Sequence, residues 1–209
     1  MTAKLPIGDQ DVLLVVDIQN DFCPEGRLAV PRGDEIVPVV NRLATRFKHV
    51  VLTQDWHPPG HLSFASTHPG RQPYDTIAAS YGPQILWPDH CVQATSGAEF
   101  RKDLQIAHAE LILRKGYHPD IDSYSAFYEN DRRTRTGLAG YLRERGFTRV
   151  FLVGLAFFFA CVTRRRMPST RASKSLCSKM LAVLSISTGP CSRRERLSTP
   201  LVSVAFSPM

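Results

Sequence analysis

Four short apolar runs punctuate the first three quarters of the chain, and each ends in polar or glycine-bearing residues. Val12-Leu13-Leu14-Val15-Val16 is apolar without alternation, which predicts a central parallel strand covered on both faces. Val50-Val51-Leu52, Glu110-Leu111-Ile112-Leu113 and Arg149-Val150-Phe151-Leu152-Val153 predict three further strands. Between the first two, Ile36, Val37, Val40, Leu43, Ala44 and Phe47 recur at helical spacing, with Asp34 read as the N-cap. Leu138 to Arg145 reads as a second amphipathic helix, closed by Gly146. Strand-helix-strand order implies parallel pairing with a right-handed crossover. The fold class expected is a three-layer α/β/α arrangement around a mainly parallel sheet. From Pro58 to Pro88 the chain is rich in Gly, Pro, Ser and His, shows no period, and reads as a long functional loop.

The candidate chemistry sits where the apolar runs stop, which in an open α/β sheet is where ligands bind. Asp17 follows the first run and reads equally well as a capping or a catalytic carboxylate. After the second run comes Thr53-Gln54-Asp55-Trp56-His57-Pro58-Pro59-Gly60-His61. Asp55 and His57 are two apart, so an extended backbone points both to one side and offers half of a divalent-metal site. His61, and His90 from Trp87-Pro88-Asp89-His90-Cys91, are candidates for the rest. Lys115 ends the third run, and Gly154-Leu155-Ala156 leaves the fourth shortly before Cys161. A thiol near a cation and a base is a usable nucleophile, and a helix start beside it offers N–H groups to an oxyanion. These residues together describe an amide hydrolase working through a thioester.

Length and charge narrow the picture. With 209 residues, 43% hydrophobic and 22% charged, the chain has the size and make-up of one ordinary globular domain. No apolar run reaches the roughly 18 residues of a membrane span, and Met1 to Asp9 does not read as a secretory signal. Five cysteines without Cys-x-x-Cys spacing predict free thiols and a cytoplasmic setting. Nine of the 26 Lys and Arg residues, but only one of the 19 acidic residues, lie from Val162 onward, so this tail carries +8 and the first 161 residues −1. Arg164-Arg165-Arg166 brings no stacking platform or binding motif with it, so neither nucleic acid nor membrane is expected as a partner.

The motifs Val16-Asp17-Ile18-Gln19-Asn20-Asp21-Phe22, Gln54-Asp55-Trp56-His57-Pro58, Trp87-Pro88-Asp89-His90-Cys91, Lys115-Gly116, Asp122-Ser123-Tyr124-Ser125-Ala126-Phe127 and Val153-Gly154-Leu155-Ala156 resemble, in order, those of the nicotinamidase/pyrazinamidase family of isochorismatase-like hydrolases. The resemblance implies hydrolysis of nicotinamide, or of pyrazinamide, to the acid and ammonia, in a pyridine-nucleotide salvage role. It implies Asp17 as general base, Lys115 as support for the thiolate, and a backbone N–H from Ala156 to an oxyanion. By the same resemblance Asp55, His57 and His90 bind a divalent metal (Zn, Fe or Mn), with His61 as a further or water-bridged ligand. Phe22, Trp87 and Tyr124 would line the pocket of the small-molecule substrate. The chain would act as a monomer or a homo-oligomer.

The resemblance stops abruptly. The family pattern after Gly-Leu-Ala is one variable residue, then Asp, an aromatic, Cys and Val. Here the chain reads Phe157-Phe158-Phe159-Ala160-Cys161-Val162, without the aspartate and with the cysteine one residue late. Residues 1–161 are therefore read as an incomplete hydrolase domain and 162–209 as a non-family tail without periodicity, frameshifted or disordered. Codons permitted by Phe158 to Pro168, read from each third base, can spell Phe-Cys-Val-Arg-Asp-Ser-Ala-Glu-Asp-Ala. Those of Ser178 to Gly189 can spell Glu-Asp-Ala-Cys-Arg-Ala-Ile-Asp-Leu-Asp-Gly, in the same frame. Both look like missing family segments. Two competing readings remain: an inactive product that binds metal at most, and a hydrolase of another small amide.

Overall fold

The structure, a computed structural model, describes residues 6–155 and 180–185. A five-stranded sheet is built from β1 (Asp11–Val16), β2 (His49–Asp55), β5 (Leu111–Lys115), β6 (Arg149–Gly154) and β7 (Met180–Ser185), in the spatial order β5-β2-β1-β6-β7. The first four run parallel, and β7 pairs antiparallel with β6. β1 is central and buried throughout, which is why its sequence is apolar at consecutive rather than alternate positions.

Alternation reappears as a division of that strand between two cores. Leu13 and Val15 point to one face, where α1 (Val37–Ala44) packs with Phe47, Val50, Leu52, Phe151 and Val153. Val12, Leu14 and Val16 point to the other, where α2 (Leu138–Glu144) packs with Val51, Phe147, Val150 and Leu152. Helices thus cover both faces of the sheet, as the expected three-layer architecture requires. Among the described residues no helix is long and apolar enough to cross a membrane.

Several local expectations are corrected. Asp34 is not a helix cap: it lies inside a 3-10 turn, Gly33–Ile36, entered through Arg32 in the left-handed region (φ 57°), and the α-helix begins only at Val37. Pro38 in its first turn removes an N–H that would have had no intrahelical partner. The stretch 58–88 is not free of strands. It holds an antiparallel hairpin, β3 (Thr76–Ala79) and β4 (Gly82–Ile85), whose side chains are mostly part-exposed and so leave no apolar alternation to read. β7 falls in the stretch read as an irregular tail; its Met-Leu-Ala-Val-Leu run is long enough to pair with the β6 edge.

The topology locates the site. From β1 the chain steps outward to β2 and β5, then returns to the other side of β1 for β6. The order reverses between β1 and β6, and a crevice outside the carboxyl ends of the strands is expected at such a point. Asp17, Asp55 and Lys115 lie at those ends. Gly154 allows the two central strands to close up: a Cβ there would lie 2.1 Å from the Val16 carbonyl oxygen.

Candidate active site

Three strand ends supply one buried ion cluster. Lys115, 4% exposed, is the last residue of β5, and its ammonium donates to Asp55 Oδ1 at 2.7 Å, to Asp17 Oδ2 at 3.0 Å and to the Ser123 carbonyl at 3.2 Å. All three of its N–H bonds are used. Asp17 sits just past β1 in the left-handed region (φ 49°), which turns its carboxylate across the strand end, where Thr53 Oγ1 donates to it at 2.7 Å. Burial acts against ionising both acids, and at Asp17 the Asp55 charge adds to it. The balance goes opposite ways in the two: burial raises Asp17 despite Lys115, whereas at Asp55 the pull of Lys115 and His57 overcomes burial and holds it well below the usual range. Burial opposes the Lys115 charge, but Asp17 and Asp55 outweigh it and the ammonium persists. Two carboxylates driven apart in this way divide their roles: Asp17 is the one able to take a proton, and Asp55 keeps its charge.

The second oxygen of Asp55 faces two imidazoles. Oδ2 lies 3.5 Å from His57 Nε2 and 3.7 Å from His90 Nε2. On the far side of each ring, Nδ1 meets a backbone carbonyl, that of Gly116 at 2.8 Å for His57 and that of Pro88 at 2.8 Å for His90. A carbonyl only accepts, so each Nδ1 carries the hydrogen and each Nε2 is the atom turned toward the carboxylate; burial opposes a charge on His57, but Asp55 outweighs it and raises its pKa. With their Nε2 protons released, two imidazole lone pairs and a carboxylate oxygen lie within 4.8 Å of one another, close enough to share one cation. The donor set therefore fits a divalent metal, with the imidazoles fixed from behind in the manner usual for ligating histidines.

His61 occupies a different place from those three. Its ring lies against His57, centroids 4.4 Å apart; Nδ1 accepts from the Ser63 N–H at 3.2 Å and Nε2 donates to the His118 carbonyl at 2.9 Å. Burial, and then His57, push it down to about 4, so it is neutral. Its ligating atoms group with those of His57 and Asp122 rather than with Asp55 and His90. To ligate the same ion as Asp55, His61 would have to give up the bonds that hold its ring.

Of the aromatic residues expected around a substrate, Phe22 meets the His90 ring edge-on at 5.6 Å, while Trp87 pairs with Tyr124, donating from Nε1 to its hydroxyl at 3.0 Å. Ala156 and Cys161 lie outside the described residues. Among those that are described, Cys23 and Cys91 are buried free thiols. Burial raises Cys23 to about 11, and burial followed by Asp55, Asp17 and Asp21 raises Cys91 well above the ordinary range, so neither offers a thiolate at neutral pH. A cleft of about 550 Å³ opens nearby between Asn20, Arg27, Asp89 and Arg101, but none of Asp17, Asp55, His57, His90 or Lys115 lines it.

Sequence reading gave no role to Ser123, Thr53 or Gly116, although each holds a site residue. Gly116 carries a backbone signal: φ is +65°, and a Cβ there would lie 2.5 Å from His57 Cε1. Gly116→Ala is accordingly expected to displace the His57 ring and weaken divalent-metal affinity on the order of 10–100-fold. Zinc titration followed by calorimetry checks this, and unchanged affinity would show that the ring does not depend on the glycine.

The model of the isochorismatase domain matches residues 11–163, and the chain belongs to that family. A nicotinamidase of Acinetobacter baylyi is 56% identical over 160 residues, covering 77% of this chain and 74% of its own length. Among solved structures, an Acinetobacter baumanii nicotinamidase/pyrazinamidase superposes with a TM-score of 0.69 at 57% identity, over 70% of this chain and 71% of its own. A Pyrococcus horikoshii pyrazinamidase in complex with zinc superposes with a TM-score of 0.54 at 39% identity, over 70% of each chain.

Proposed function

We propose that this chain is built to hydrolyse nicotinamide to nicotinate and ammonia, with pyrazinamide as a related substrate. The observation that carries the proposal is the double use of Asp55: one oxygen holds Lys115 beside Asp17, and the other joins His57 and His90. A proton-transfer pair and a ligand set for a divalent cation are thereby fixed to one carboxylate. Metal bound by Asp55, His57 and His90, which we take to be zinc, would offer a Lewis acid to the pyridine nitrogen and polarise the ring. The zinc-bound archaeal relative supports that choice.

The chain's own groups then perform the acyl transfer. Asp17 accepts the thiol proton of a cysteine, and Lys115 stabilises the thiolate that attacks the carboxamide carbon. The C–N bond breaks, and the nitrogen takes the proton from Asp17 and leaves as ammonia. Water, deprotonated by Asp17, opens the thioester to nicotinate and returns the thiol. Phe22, Trp87 and Tyr124 supply apolar walls for the ring, Ala156 a backbone N–H for the oxyanion, and His61 supports His57 from behind.

Which cysteine attacks depends on the reading frame after Phe157. Residues 1–161 carry the hydrolase domain up to the nucleophile segment, and Cys161 stands one residue beyond the family position. Ammonia release from nicotinamide, measured with zinc present for the chain as written, for Cys161→Ala and for a chain with the frame restored after Phe157, separates the outcomes. Turnover lost in Cys161→Ala makes Cys161 the nucleophile. Turnover seen only after restoration places the nucleophile in the shifted frame, and none from any form sinks nicotinamide hydrolysis. In whichever form turns over, stripping the metal with a chelator is expected to abolish ammonia release, and adding zinc to recover most of it. Activity indifferent to the chelator would exclude a metal from the reaction.

A further inference from the structure

We propose that Gln19 is the positioning residue for Asp55, standing in for the strand backbone that β1 withdraws at the site. β1 and β2 pair in register from Val12↔His49 to Val16↔Thr53 and no further, because Asp17 turns into the left-handed region. Beyond that point β2 continues through Gln54 to Asp55, supported on its other side by the pairing of Asp55 with Lys115. On the side that β1 has left, the Gln19 carboxamide takes its place. Its Oε1 accepts the Asp55 N–H at 2.8 Å, and its Nε2 donates to the Asp55 carbonyl at 2.8 Å and to the Ala98 carbonyl at 2.9 Å. Gln19 is fully buried, at 0% exposure, so no water competes for these bonds.

The consequence is mechanical. β1 can peel away to aim Asp17 at Lys115 only if something else satisfies the peptide groups of Asp55. A carboxamide does this because it carries one acceptor and one donor group in the geometry of a peptide. Asp55 then stays in line with β2, and its two oxygens keep their separate directions, toward Lys115 and toward the His57/His90 pair. Supporting partners of this kind commonly govern metal affinity as strongly as the ligands' own neighbours.

The inference presupposes the metal site proposed above, and its test reads metal binding rather than turnover. Gln19→Met keeps the length and removes both polar atoms. Gln19→Glu keeps an acceptor for the Asp55 N–H but loses the amide donor. Gln54→Met is the control: Gln54 Nε2 also donates to the Ala98 carbonyl, at 3.0 Å, yet its side chain bonds neither peptide group of Asp55. Zinc affinity by competition titration, and the visible spectrum of the cobalt-substituted protein, are measured for all four chains alongside thermal melts. We expect affinity to fall about 10–100-fold in Gln19→Met, less in Gln19→Glu and under threefold in Gln54→Met, with an altered cobalt spectrum only in the Gln19 variants. Should Gln19→Met not melt cooperatively, Gln19→Glu carries the comparison. Unchanged affinity and spectrum in the Gln19 variants, or an equal loss in Gln54→Met, would overturn the positioning role. Failure of the wild-type chain to bind zinc would overturn the metal site itself, and the inference with it.

Discussion

Lys115→Met is expected to cost about 3–5 kcal/mol of stability at neutral pH, because it leaves two buried carboxylates without their shared cation. In the form of the chain that turns over, ammonia release should also drop, on the order of 10²–10⁴-fold. The ammonium lowers the carboxyl pKa of both Asp17 and Asp55, and it is the strongest lowering influence on each. Removing it lifts Asp17, already above the value near 3.9 of an unfolded aspartate, further above it, and raises Asp55 from its depressed position. A group whose folded pKa is raised keeps its stability below the unfolded value and loses it as pH rises through the folded one. The deficit of the variant should therefore be smaller near pH 4 than at neutrality, growing as Asp17 would ionise. Urea melts of both proteins across that range would show it. A deficit independent of pH would mean that the lysine contributes packing alone.

The second large effect concerns the reading frame. The chain as written is expected to release ammonia at no more than background, and restoring the frame after Phe157 is expected to raise the rate at least about 100-fold. A displacement of about 1 Å at a reacting atom already costs that much, and a nucleophile shifted by one residue is displaced further. The match to the family model ends at residue 163, a few residues past the point where the codon argument places the shift. Sequencing the gene is the direct check: an unshifted gene with codons that cannot spell the family cysteine removes the proposal. Equal rates from the two chains would show that the segment after Leu155 tolerates the change.

The site was legible in the sequence to the extent that strand periodicity dictates it. A residue placed just after an unbroken apolar run lies at a strand end, and this alone brought Asp17, Asp55 and Lys115 to one edge of the sheet. Period-two spacing put Asp55 and His57 on one side, where His90 joins them. The resemblance to a known family assigned roles to the same residues, but periodicity had already placed most of them.

His61 shows what spacing leaves out: the fold turns its two nitrogens to Ser63 and His118, and its ligating atoms group with those of His57 and Asp122. Gln19 is a second case: it lies inside a family-like motif but no period or spacing gives it a role, which arises because β1 departs from β2 at Asp17. The β3–β4 hairpin escaped notice because a part-exposed ribbon buries no regular face. Local pattern thus determined the four parallel strands, the two helices and the chemistry offered at the strand ends, since burial on a sheet forces a readable apolar run. Which donors meet, at what angle and with which proton, was decided by the tertiary structure, because those contacts join residues dozens of positions apart through bonds that leave no period in the chain.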